Sequence, residues 1–67
     1  MITAVLKNAT ILDVGELKIA RGAIFGDVAR RFEDGEFIRT SAIVEGPDAD
    51  GVIKTRNSTY KLEMADV

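Results

Sequence analysis

Within residues 34–63, "DGEFIRTSAIVEGPDADGVIKTRNSTYKLE", an arginine and a serine recur at one spacing, Arg39 with Ser41 and Arg56 with Ser58. That pairing suits anion capture. A guanidinium offers phosphate a planar fork of donors, and a hydroxyl adds a further hydrogen bond. Other chemistry has little to work with. The chain has no cysteine and no histidine, so the usual nucleophiles, general bases and zinc ligands are missing. Carboxylates could do acid–base work, but no pair of them is localised by a motif. The expectation is a binding protein rather than an enzyme, with no cofactor and no metal.

Three weaker motifs reduce to local structure. "GAIFGD" (22–27) has too few glycines for a dinucleotide fingerprint or a Walker loop. "DADG" (48–51) resembles part of a calcium loop, but lacks the closing acidic ligand and the flanking helices. "NST" (57–59) satisfies a glycosylation sequon and is read as a chance match.

The elements that must position the arginines read as strands. β-Branched and aromatic residues fill the runs between Gly, Asn and Asp. "ITAVLK" (2–7) alternates, Asn8 suits a turn, and "TILDV" (10–14) ends at Gly15. "ELKIARGAIF" (16–25) follows, with Gly22 marking a bulge or bend. Residues 27–33 are ambiguous. Asp27 could cap a short helical turn closed by Gly35. Alternatively they form a strand ending in a tight turn at Asp34-Gly35, a strong hairpin signal and the favoured reading.

On the hairpin reading Phe32 faces Phe37 and Arg30 faces Arg39. A second hairpin around "GPDADG" (46–51) sets Val44 against Ile53 and Ser41 against Arg56. A third turn at Asn57-Ser58 sets Ile53 against Leu62 and Thr55 against Tyr60. Side chains alternate along a strand, so Ala29, Ile38, Ala42, Val44, Ile53, Tyr60 and Leu62 point inward. Arg30, Phe32, Phe37, Arg39, Ser41, Lys54, Arg56 and Ser58 share the opposite face. Like charges directly opposed in a sheet repel, so Arg30 against Arg39 calls for an anion or for acids from elsewhere. The competing reading is an ordinary solvated face whose arginines pair with Glu33, Asp34, Glu36 or Glu45, with the phenylalanines in a core or a subunit interface.

Bulk properties limit the rest. Sixty-seven residues make a single small domain, 1–67, with a thin core. Without disulfides or metals the remaining way to add stability is self-association, so a homo-oligomer is expected. Nine basic and eleven acidic residues give a net charge of −2, which disfavours general duplex DNA binding. No apolar run approaches a membrane span, and "MITAVLKNAT" lacks signal-peptide character. A cytoplasmic protein is expected, and the acidic end "EMADV" is expected to fray. The fold expected is all-β: a small antiparallel meander or barrel-like domain of about five to six strands, with the helical turn near 27–33 as the open alternative.

"RFEDGEFIRTSAIVE" (31–45) followed by "IKTRNSTYKLE" (53–63) resembles small phage and prophage proteins. It is similar to the C-terminal part of Thoeris-type anti-defence nucleotide sponges. The resemblance implies an oligomer, acting in the host cytoplasm, that sequesters a cyclic ADP-ribose-like or cyclic oligonucleotide signal without degrading it. By position it carries Arg39, Thr40, Ser41, Arg56 and Asn57 over as ligand contacts. To these the strand reading adds Arg30, Phe32 and Phe37. The alternative function is a protein-interaction or virion-associated structural module with no small-molecule ligand.

Overall fold

A computed structural model describes residues 2–65. The described chain is all-β: six strands form one sheet. They are β1 (Ala4–Val14), β2 (Leu17–Phe25), β3 (Phe37–Arg39), β4 (Ile43–Glu45), β5 (Val52–Thr55) and β6 (Thr59–Met64). Their order across the sheet is β3-β2-β1-β6-β5-β4. The sheet is mixed rather than wholly antiparallel, because β1 and β6 run parallel. It curls until β4 approaches β2, but β3 and β4 remain its edges and no ladder closes it into a barrel.

β1 is continuous where the sequence suggested two strands and a turn. Asn8 adopts left-handed backbone, φ 53°, yet the chain does not reverse. The residue is instead absorbed as a bulge, which shifts the register against both β2 and β6. Gly22 lies across from that bulge. A Cβ there would sit 2.8 Å from the Lys7 carbonyl oxygen and 3.2 Å from the Ala9 Cα. The glycine thus serves a bulge on the neighbouring strand, which approaches too closely for a side chain.

The inward face carries Ala4, Leu6, Ala9, Ala20, Ile24, Ile38, Ile53, Tyr60 and Leu62, with Ile11, Phe32 and Ile43 packed against them. Leu6, Ile24 and Ile53 are fully buried. Buried Thr40 and Thr55 are satisfied. The Thr40 hydroxyl accepts from the Ala20 amide and donates to the Ser41 carbonyl, while Thr55 Oγ1 bonds around the 55–58 turn.

The Asp34-Gly35 hairpin does not form. β3 pairs with β2, opposing Arg21 to Arg39, Gly22 to Ile38 and Ala23 to Phe37. The expected pairs Phe32–Phe37 and Arg30–Arg39 are therefore absent. A hairpin needs a strand on each side of its turn, and residues 26–36 contain none. Phe32 turns to the core instead, and Ala29 is exposed. The alternative helical turn over 27–33 is absent too. Asp27 does act as a cap, accepting from the Ala29 and Arg31 amides. Arg30 then takes φ 54°, a left-handed conformation that stops helix growth.

The second hairpin forms with a different register, Ile43 against Thr55 and Glu45 against Lys54, with an irregularity between. Ile43 therefore packs on the core and Val44 is 60% exposed. The expected Val44–Ile53 and Ser41–Arg56 pairs are not made. In the third hairpin Ile53 meets Tyr60 rather than Leu62. That register differs from expectation by two residues, so the faces are preserved. Of the C-terminal segment expected to fray, Met64 ends β6 and the Ala65 amide donates to Ala9. Residues 66–67 lie outside the described residues. Among the described residues no helix is long and apolar enough to cross a membrane.

Candidate anion-binding face

Alternation fixes what the sheet shows to solvent. On β2 the inward residues are Ala20, Gly22 and Ile24, so Ile19, Arg21, Ala23 and Phe25 point outward. The β1–β2 register sets Lys7 beside Ala23 and Val5 beside Phe25. The β2–β3 register continues the row with Phe37 beside Ala23 and Arg39 beside Arg21. On the other flank of β1, Lys61 lies next to Val5 and Glu63 next to Lys7. Lys54 follows on β5, paired with Thr59. The outward face thus bears Arg39, Arg21, Lys7, Lys61 and Lys54 on β3, β2, β1, β6 and β5, a diagonal stripe with one cation per strand in sheet order.

Aromatic rings lie within the stripe. The Arg21 guanidinium sits 5.1 Å from the Phe37 ring centroid, and Lys7 Nζ sits 4.9 Å from that of Phe25. Such contacts contribute about 0.5–1 kcal/mol each at exposed sites, and they hold the cations over the sheet. Phe37 itself is 57% exposed.

Arg21 and Arg39 are closer than the pairing alone suggests. The Thr40 amide donates to Ala20 and the Ile24 amide donates to Glu36. Those hydrogen-bonded positions put Arg21–Arg39 in the intervening, non-hydrogen-bonded site, where opposed Cα atoms are about 4.5 Å apart. No carboxylate relieves them: the one ion pair among the described residues is Arg31–Asp27.

That ion pair belongs to a second cluster, and its role is structural. Arg31 Nε reaches Asp27 at 3.3 Å, while its terminal nitrogens donate to Ser58 Oγ at 3.1 Å and Tyr60 Oη at 3.2 Å. One side chain so ties the 26–36 loop to the β5–β6 turn. Burial pushes the Asp27 carboxyl up, but the hydrogen bonds from Arg31 and Ala29 outweigh it and hold the carboxyl below its ordinary value. The hydrogen bond that Arg31 donates to Asp27 in turn raises the Arg31 guanidinium. The Asp48 carboxyl is also lowered, chiefly by the Val52 and Asp50 amides that it accepts across the 46–51 loop.

The residues expected to bind ligand divide among several places. Arg39 and Phe37 lie on the outward face. Thr40 is buried, with its hydroxyl committed at both ends. Ser41 follows β3 and is half-buried. Phe32 packs against the core, under the Arg31 guanidinium at 5.5 Å. Arg30 is exposed in the loop. Arg56 and Asn57 lie in the β5–β6 turn, where the Asn57 amide donates to Thr55 Oγ1. Arg39 and Arg56 are not on adjacent strands, since β2, β1 and β6 stand between β3 and β5.

Lys7, Arg21, Phe25 and Lys61 were not singled out from the sequence. The alternation of "IARGAIF" does carry the signal for Arg21 and Phe25. Only the pairing of β2 with β3 reveals that they join Arg39 and Phe37.

Of two cavities, the larger, of about 280 Å³, lies away from the stripe between β4 and the start of β2, and the smaller, of about 180 Å³, reaches the Lys54 end of the stripe. The larger is lined by Leu17 and Lys18 on one wall and by Ile43, Val44 and Glu45 on the other. No family model, curated protein or solved structure matches the chain.

Proposed function

We propose that this chain is a non-catalytic binding protein whose outward β-face takes a phosphate-bearing nucleotide. The observation that supports it is the Arg21–Arg39 pair: two guanidiniums directly opposed, without a carboxylate partner among the described residues, beside an exposed ring. Like charges so placed repel. A bound phosphate removes that repulsion and accepts bidentate hydrogen bonds, and Phe37 offers a surface on which a base can stack. The biological reading is the one that the phage-protein resemblance implies. The protein is a phage-type anti-defence factor that holds a cyclic ADP-ribose-like or cyclic oligonucleotide messenger intact in the host cytoplasm.

A second reading draws on the exposed apolar side chains Leu17 and Val44 beside the larger cavity. In it the chain is an interaction or virion-associated module with no small-molecule ligand. Calorimetry against a panel of cyclic nucleotides separates the two. The first reading expects saturable binding and recovery of unaltered ligand after denaturation. Absence of heat for every member leaves the second.

A further inference from the structure

We infer that β3 is a self-association edge, pairing antiparallel with β3 of a second copy across a two-fold axis centred on Ile38. The argument begins with the free backbone groups. The Thr40 amide donates to Ala20 and the Glu36 carbonyl accepts from Ile24 on β2, so the backbone groups of Ile38, midway between them, face β2 by alternation. The amides and carbonyls of Phe37 and Arg39 therefore face away from β2, on an edge that carries no further strand among the described residues. Such an edge is a template for another chain unless it is covered or charged along its length.

The other edge is not equivalent. β4 approaches β2 on its own sheet, and the two line the cavity of about 280 Å³. β3 is the open edge.

The sequence Phe37-Ile38-Arg39 is self-complementary in the antiparallel sense. Around an axis at Ile38, Phe37 of each copy faces Arg39 of the other, and the two isoleucines meet on the inward side. The free amides and carbonyls at 37 and 39 are the ones this register requires. Each Phe–Arg pair sets the aliphatic stem of an arginine beside the edge of a ring, which covers part of the Phe37 side chain and leaves its exposed face to a stacking base. The residue newly opposed to Arg39 is a ring and not a cation, so the pairing adds no directly opposed pair of like charges. A 67-residue chain with a thin core also gains from such an extension.

The dimer stands on edge geometry alone. Its consequence for ligand rests on the binding reading above: the second copy adds its own Arg21 and Arg39, making one continuous cationic face from two chains.

The test uses disulfide trapping, without background because the chain has no cysteine. Phe37→Cys and Arg39→Cys proteins are prepared separately, checked for native circular dichroism, and oxidised alone or mixed, without nucleotide. The pairing predicts that the mixture gives a heterodimeric disulfide about tenfold faster than either variant gives a homodimer, since only positions 37 and 39 are opposed. Equal rates in all three samples overturn the register. Wild-type protein that sediments as a monomer at about 100 μM, well above the dissociation constants of specific interfaces, overturns the dimer. Because these readouts lack ligand, a monomer that still binds nucleotide sinks only the dimer. A dimer that binds none sinks only the binding reading.

Discussion

Arg21 and Arg39 face each other across β2 and β3 on the outward side of the sheet, in a position where antiparallel side chains come closest. Neither has a carboxylate partner among the described residues. The pair carries a repulsion that the contact of Arg21 with the Phe37 ring offsets only in part, and we propose that it serves a ligand. Arg21→Ala and Arg39→Ala should each weaken phosphate binding by about 1.5–3 kcal/mol, as for loss of a charge-assisted hydrogen bond. The thermal midpoint of Arg39→Ala should hold or rise slightly as the repulsion is removed, while that of Arg21→Ala should stay near wild type, because the lost contact with Phe37 offsets the gain. Lysine at either site should restore less than full affinity, because an ammonium lacks the two-point fork. Calorimetry and thermal denaturation on the same samples read both effects. Arg56→Ala, altered in the β5–β6 turn, should bind nearly as wild type.

Ile53 has no exposed surface and lies at the centre of β5, opposite Tyr60. Ile53→Ala should destabilise by about 2–4 kcal/mol through the cavity that it leaves. Denaturant melts measure this. Any loss of binding should follow the unfolded fraction and vanish when stabilising conditions restore the fold. Val44→Ala, one strand away but exposed, should cost well under 1 kcal/mol.

Gly22→Ala places a methyl against the Lys7 carbonyl and the Ala9 Cα. Both obstacles are backbone, so the bulge at Asn8 must shift or flatten. Amide hydrogen exchange should show lost protection on β1 around residues 7–10, with a stability loss of about 1–3 kcal/mol. Unchanged exchange there would mean that the bulge does not depend on the glycine.

Acid should loosen the 26–36 loop. The Asp27 carboxyl is held below its ordinary value by the hydrogen bonds from Arg31 and Ala29. A carboxyl lowered in the folded state contributes stability above its unfolded pKa of about 3.9, and the contribution is lost as pH falls through the folded value. Below pH ~4 the melting temperature of the wild type should therefore fall more steeply than that of Asp27→Asn. Asp48 contributes in the same direction and is common to both proteins, so the difference between them reports Asp27. Arg31→Ala should lower stability at pH 7 by about 1–2 kcal/mol through its lost bonds to Asp27, Ser58 and Tyr60.

The strand composition was legible because alternation is a local property. Ile38, Ile53, Tyr60 and Leu62 were read as inward and are buried. Partner choice was not legible. Asp34-Gly35 carries a strong turn signal, yet β3 found β2, because Gly22 and the alternating β2 offered it a full partner while residues 26–33 did not. Register failed where one residue decides it. The irregularity between Ile43 and Glu45 moved Val44 outward, a one-position change that inverts a face. The site shared that fate. Arg39 and Phe37 could be chosen from type and spacing, but Arg21, opposed to Arg39, and Lys7, one strand further on, come from a distant hairpin that only the topology supplies.

The central claim is that the Arg21–Arg39 face binds a phosphate-bearing nucleotide, and its most direct measurement is a titration followed by backbone NMR. Cyclic nucleotides from a panel are added to labelled protein, and shift changes are mapped residue by residue. The account predicts saturable changes that cluster on the outward residues of β1, β2 and β3, at Lys7, Arg21, Phe37 and Arg39. The inward residues and the β4 cavity should stay still, and in Arg21→Ala the same changes should need at least about tenfold more nucleotide. Saturable changes confined to the cavity between Leu17 and Val44, or none with any nucleotide, would contradict it.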